Sequence, residues 1–103
     1  MNIVAWEYEV RAGAEAAFEA LYGADGAWVA LFRTHPGYIG TELLRDALEV
    51  AAGRHRYLTI DRWRSAADYD AFLASDRTRY AEIDARGDAL TASERRVGRY
   101  ETL

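Results

Sequence analysis

The residues of this chain that could do chemistry are mostly aromatic, and they gather at one corner. Trp63 closes a run of β-formers, Tyr57-Leu58-Thr59-Ile60, and Tyr69 falls in the first turns of the helical stretch that follows Ser65. An indole at a strand end and a phenol on the next helix make one wall of a pocket, with the Tyr69 hydroxyl as a hydrogen-bond donor. Trp6, Tyr8, Trp28 and Phe72 complete the candidate substrate-binding set, a group of rings able to stack on a flat aromatic molecule. His35 and Tyr69 are the candidate catalytic groups. A base beside such a wall can take a proton from a bound ligand. The same rings also read as plain core, since a Trp at a strand end can simply pin a helix to a sheet. His55, between Arg54 and Arg56, reads as exposed. Asp61, Arg62 and Glu42 lie on strands and suggest ion pairs between sheets, which Glu7 and Glu9 could join.

Other chemistries lack their residues. There is no Cys, which removes disulfides, iron–sulfur clusters and thiolate metal sites. Two His cannot make an all-imidazole site, and no metal or other cofactor is expected. No nucleophile triad or Gly-rich phosphate loop is present. The cations number 13, all Arg, against 17 acids, for a net charge of -4. That balance argues against a nucleic-acid partner. No apolar run approaches the ~20 residues of a membrane span. Met1-Asn2-Ile3-Val4 runs straight into a strand pattern with no signal peptide, so a cytoplasmic protein is the expectation.

The elements that must position these residues follow from periodicity. Ile3–Val10 alternates as a strand, with Val4, Trp6, Tyr8 and Val10 on a core face and Ile3, Ala5, Glu7 and Glu9 on the other. Ala14–Leu21 is helical, with Phe18, Leu21 and Tyr22 inward. Asp25 can cap a second piece in which Trp28, Leu31, Phe32 and His35 share a face, and Pro36-Gly37 stops it. Tyr38–Arg45 is the second strand, residues 46–54 a loop, and Tyr57–Trp63 the third strand. Ser65 caps a helix carrying Tyr69 and Phe72, Ser75-Asp76 breaks it, and Tyr80, Ile83, Gly87 and Leu90 continue a weaker helical face. Arg96–Thr102 is the last strand. The order βαββαβ in one domain, residues 1–103, predicts an α+β, ferredoxin-like, four-stranded antiparallel sheet with helices on one face. The uncovered sheet face predicts a homodimer through the sheet.

Three pieces of the chain resemble the antibiotic-biosynthesis-monooxygenase superfamily, the dimeric α+β barrels. They are Trp6-Glu7-Tyr8-Glu9-Val10 before Gly13, His35-Pro36-Gly37-Tyr38-Ile39-Gly40, and Trp63-Arg64-Ser65 followed by Tyr69 and Phe72. The resemblance implies a cofactor-independent monooxygenase acting on a small phenolic or quinol-like molecule, with Trp63 and Tyr69 lining its pocket. The Asn that such phenol oxygenases carry four residues before the Trp is Thr59 here, and their strand-two His falls near Leu44. The haem-degrading branch is matched less well: Trp6 stands where it has a catalytic Asn and Phe72 where it has a Trp. The alternative is a non-enzymatic dimeric binding or accessory protein on the same scaffold.

Overall fold

The computed structural model describes residues 1–103. Its elements run β1 (Asn2–Val10), α1 (Glu15–Tyr22), α2 (Ala27–Phe32), β2 (Tyr38–Arg45), α3 (Ala47–Ala51), β3 (Arg56–Trp63), α4 (Ala66–Ala74), α5 (Arg77–Asp88) and β4 (Thr91–Glu101). The strands form one antiparallel sheet in the order β2-β3-β1-β4. This is the expected ferredoxin-like arrangement, with β1 and β3 as central neighbours. Their register sets Tyr8 opposite Tyr57, Trp6 opposite Thr59, Val4 opposite Asp61 and Asn2 opposite Trp63. No helix is long and apolar enough to cross a membrane.

The alternation of β1 resolves as its spacing predicts. Val4, Tyr8 and Val10 are buried under the helices, and on the opposite face only Ala5 is. Phe18 and Leu21 of α1, Leu31 of α2 and Phe72 of α4 join them in one core cluster. Phe18 is fully buried and stacks on Tyr22 at 4.2 Å between centroids. Removing such a ring typically costs about 3–5 kcal/mol.

Local chemistry sets the helix starts. The Ser65 hydroxyl oxygen accepts from the Asp68 N–H at 3.1 Å, satisfying one free amide of α4. The Asp68 carboxylate in turn accepts from the Ser65 hydroxyl and twice from the Arg64 guanidinium. Asp25 does not cap α2. Gly26 is the N-cap residue there, because a side chain would collide with the Leu21 carbonyl, 2.2 Å from an ideal Cβ. Two further stretches depart from the periodicity. The stretch read as a loop between the second and third strands contains α3, nucleated by Asp46, whose carboxylate accepts from the Leu48 and Glu49 amides. No residue of α3 is buried, so it has no apolar stripe to announce it. The last strand begins at Thr91, well before Arg96, since β1 is long enough to pair Val10 with Thr91. Exposed polar residues dominate that extension and hide its strand character.

Candidate active site

The inner face of β3 presents Tyr57, Thr59, Asp61 and Trp63, all buried. Two of these four are polar. Asp61 is the unusual one, a carboxylate only 8 % exposed in the middle of a sheet. Its Oδ1 accepts from the Thr41 hydroxyl of β2 at 2.6 Å. The Thr41 oxygen lies 2.6 Å from the Tyr38 hydroxyl. Thr41 has one proton and gives it to Asp61, so Tyr38 donates to Thr41 and the three form a directed chain. No Arg or His contacts Asp61. Burial therefore pushes its carboxyl up to about 6, and the Thr41 hydrogen bond draws it only partly back. The sequence reading set Asp61 among ion pairs between sheets. In the fold it faces the helices, whereas Arg62 does pair with Glu42 on the outer face.

Asp61 opens into a cavity of about 50 Å³ between the sheet and the helices. Trp6, Tyr8, Thr59 and Thr41 form its floor, and Tyr22, Trp28, Phe32, Tyr69, Phe72 and Tyr80 its walls. Asp84 of α5 and Glu94 of β4 complete the lining. Burial raises the Tyr8, Tyr69 and Tyr80 phenols, Tyr69 to about 12, so at neutral pH they are hydrogen-bond donors and not phenolates. The Arg99 guanidinium lies 4.7 Å from the centre of the Tyr69 ring and is tied to Asp70 at 3.0 Å. That stacking fixes the ring against the edge of the cavity.

The cavity gathers Trp6, Tyr8, Trp28, Tyr69 and Phe72 from the set singled out in the sequence. Trp63 and His35 are not in its lining. Trp63 is completely buried, surrounded by Phe32, Tyr38, Tyr69 and Phe72 at centroid distances of 5.1–5.6 Å. His35 lies three residues beyond the end of α2, its ring edge-on to Phe72 and its Nε2 3.0 Å from the Ser75 hydroxyl. That hydroxyl donates to the Phe72 carbonyl, so His35 serves as its donor and ties the turn before β2 to the end of α4. His55 is half-buried, with Nε2 3.0 Å from Glu15.

Sequence reasoning missed Asp61, Thr41, Asp84 and Glu94. For Asp61 a signal existed. It shares strand parity with Trp63 and Tyr57, so once those rings are placed inward Asp61 must face inward too. Thr41 follows from Asp61 by the pairing of β2 with β3. Asp84 and Glu94 carried no such mark, since they lie on elements whose inner face is weakly apolar.

Fold and cavity together define a small α+β protein whose helix-covered sheet face encloses an aromatic cleft with one buried carboxyl. Residues 1–97 match the family of antibiotic biosynthesis monooxygenases, and the chain belongs to that family. Among solved structures it is similar to SnoaB from Streptomyces nogalater, described as a cofactor-independent oxygenase. The TM-score is 0.74 at 20% identity, over 99% of this chain and 93% of that one. A point variant of SnoaB gives 0.77 at 21% identity, over 98% and 91%. PA3566 from Pseudomonas aeruginosa gives 0.69 at 19% identity, over 99% and 93%. These likenesses concern the fold. No curated protein matches the chain.

Proposed function

We propose that the protein is a cytoplasmic monooxygenase that works without a bound cofactor on a small phenolic or quinol-like aromatic, with Asp61 as its base. One observation carries the reading: a buried carboxyl with a pKa of about 6, held by Thr41, faces an aromatic cavity. Such a group is ionised at neutral pH yet basic enough to take a phenol proton as that proton leaves. His35 supports the role less well, because its Nε2 is engaged by Ser75 away from the cavity. Tyr69 would donate to the substrate oxygen, while Trp6 and Trp28 orient the ring.

The reaction balances without an external reductant. Asp61 takes the hydroxyl proton, and the phenolate passes one electron to dioxygen. The resulting radicals combine to form a carbon–oxygen bond at the para carbon. Asp61 returns its proton to the peroxide anion, and the hydroperoxide so formed loses water as the para C–H proton departs with hydroxide, leaving a quinone. One oxygen atom stays in the product and the other leaves as water, and all four electrons come from the substrate.

Oxygen uptake over a panel of naphthols, anthrones and quinols tests this. Asp61→Asn should lower kcat/KM by about a hundredfold or more, the usual scale of a lost general base. In the wild type kcat/KM should rise through pH 6 to a plateau, as the carboxylate form accumulates. No uptake with any compound, or an Asn variant as active as wild type, would refute the assignment.

The size of the cavity favours a second reading, a binding or accessory protein. At about 50 Å³ it holds a few waters, so an aromatic ring enters only if lining side chains move aside. Tight binding without oxygen uptake would select that function.

Under either reading we propose a homodimer through the outer sheet face. Ile39 and Leu44 stand exposed there beside Glu42–Arg62 and Glu7–Arg95 pairs. Light scattering should give twice the chain mass at micromolar concentration, with dissociation promoted by salt because part of the contact is ionic.

A further inference from the structure

We propose that Tyr38 is a positioning residue of the active site, which acts through Thr41 to hold Asp61 by Oδ1 and so reserves Oδ2 as the atom that takes the substrate proton. This rests on the reading of Asp61 as the base, and adds which of its oxygens reacts and what holds the other.

Strand parity alone would keep Tyr38 out of the site. Tyr38 and Thr41 are three residues apart, and in a regular strand such residues face opposite sides. β2 is not regular there. Tyr38 pairs with Trp63, Gly40 with Arg62 and Thr41 with Asp61, so exposed Ile39 is one residue in excess of its partner strand. This β-bulge turns Tyr38 to the face that Thr41 and Asp61 share, with its hydroxyl 2.6 Å from that of Thr41. Bulges beside active sites re-aim side chains in this way. The ring is held where the bulge puts it, 5.3 Å from Trp63 and 5.4 Å from Phe32 between centroids. Burial raises the Tyr38 phenol, so it stays a donor at neutral pH. Tyr38 does not line the cavity and reaches the site only through Thr41.

Asp61 is held sparingly for a buried carboxylate. One kept for stability is met by a cation or by several N–H donors. Asp61 has a single hydroxyl, on Oδ1. Oδ2 has no partner within the chain and is not a sealed atom, and the space that Asp61 lines is the cavity. With the proton on Oδ2, Oδ1 keeps its lone pairs, so Thr41 donates to it before and after the transfer. The carboxyl therefore need not turn when the proton arrives, and the base is in place before the reaction. Tyr38 fixes which way the Thr41 hydroxyl points, and a donor polarised by a second donor bonds more strongly. Around Asp61 stand the phenols of Tyr8, Tyr38, Tyr69 and Tyr80 and, across the cavity, the Asp84 and Glu94 carboxyls. None of these is a cation, so the hydroxyl chain is what favours the ionised form of Asp61.

Carbon-13 NMR of the Asp61 carboxyl across pH tests this, with Asp61→Asn assigning the signal. Thr41→Val keeps the shape and removes the hydroxyl. The Asp61 midpoint should then rise from about 6 to about 7 or above, the scale of one hydrogen bond to a charged group. Tyr38→Phe keeps the ring and should raise the midpoint by less, while Thr41→Ser should leave it in place. The pH at which kcat/KM levels off should move with the midpoint in each variant. On that plateau Thr41→Val should be about tenfold slower than wild type, through lost positioning. A plateau at or above the wild-type value would put the proton on Oδ1 and overturn the proposal. So would a midpoint unmoved by Tyr38→Phe, or one that Thr41→Ser moves as far as Thr41→Val does. If Thr41→Val does not fold, Tyr38→Phe set against Thr41→Ser decides. Midpoints that move as expected without oxygen uptake by the wild type sink the oxygenase reading alone. Uptake lost in Asp61→Asn, with midpoints unmoved in Thr41→Val and Tyr38→Phe, sinks this inference alone.

Discussion

Trp63 and Asp61 sit two residues apart on the same face of the same strand, and their surroundings are opposites. Around Trp63 four rings close within 5.1–5.6 Å and the indole has no exposed surface. Around Asp61 the packing opens into a cavity that ends at Asp84 and Glu94. Convergence of aromatic residues therefore does not by itself make a pocket. The same rings fill space where they meet at contact distance, and enclose it where a short polar side chain interrupts them.

The largest expected effect tests the sealed half of that contrast. Trp63→Ala should destabilise the fold by about 3–5 kcal/mol, since the ring is fully packed and its loss leaves a void. Denaturant melts would show it. A loss under about 1 kcal/mol would mean the corner is loosely filled, and the contrast would fail.

Asp61→Asn tests the open half, and it should stabilise. The folded pKa of about 6 lies above the ordinary carboxyl value near 4, so the native state holds the proton more tightly than the unfolded chain. Stability from this group is present below pH 4, declines as pH rises toward 6, and stays low above. Removing the charge should add about 3 kcal/mol at pH 8 and little at pH 4, read from denaturant midpoints at both values. Equal shifts at both pH values would show that the carboxylate is not buried at a cost.

Tyr69 stands on the border, touching Trp63 at 5.6 Å and lining the cavity. Tyr69→Phe should change stability by under about 1.5 kcal/mol, because volume is kept. If the hydroxyl serves a ligand, the same change should weaken phenol binding by about 1 kcal/mol, measurable by titration. A stability loss without a binding loss would assign Tyr69 to the sealed region.

The contrast also explains what could be read from the sequence. The four strands, the corner at Ser65 and the helix-facing set of β1 all follow from periodicity and capping, which act over a few residues. Whether Trp63 or Trp6 borders free space depends on how rings from α2, α4 and β1 meet, and spacing along the chain carries no such distance. Asp61 lay in between. Its parity with Trp63 was in the strand, but an acid between Ile60 and Arg62 reads as surface unless the whole face is followed. The α3 helix escaped because its only strong signal is the Asp46 cap.

The Tyr38–Thr41–Asp61 chain joins the two regions. Tyr38 donates into it from one end, and its ring lies 5.3 Å from Trp63. An ionised Asp61 can only accept, which fixes the direction of the chain and holds the Tyr38 hydroxyl toward Thr41 beside the indole. Trp63 emission followed across pH 6 therefore reads where the proton of Asp61 lands: on Oδ1 it reverses the chain, on Oδ2 it leaves the chain in place.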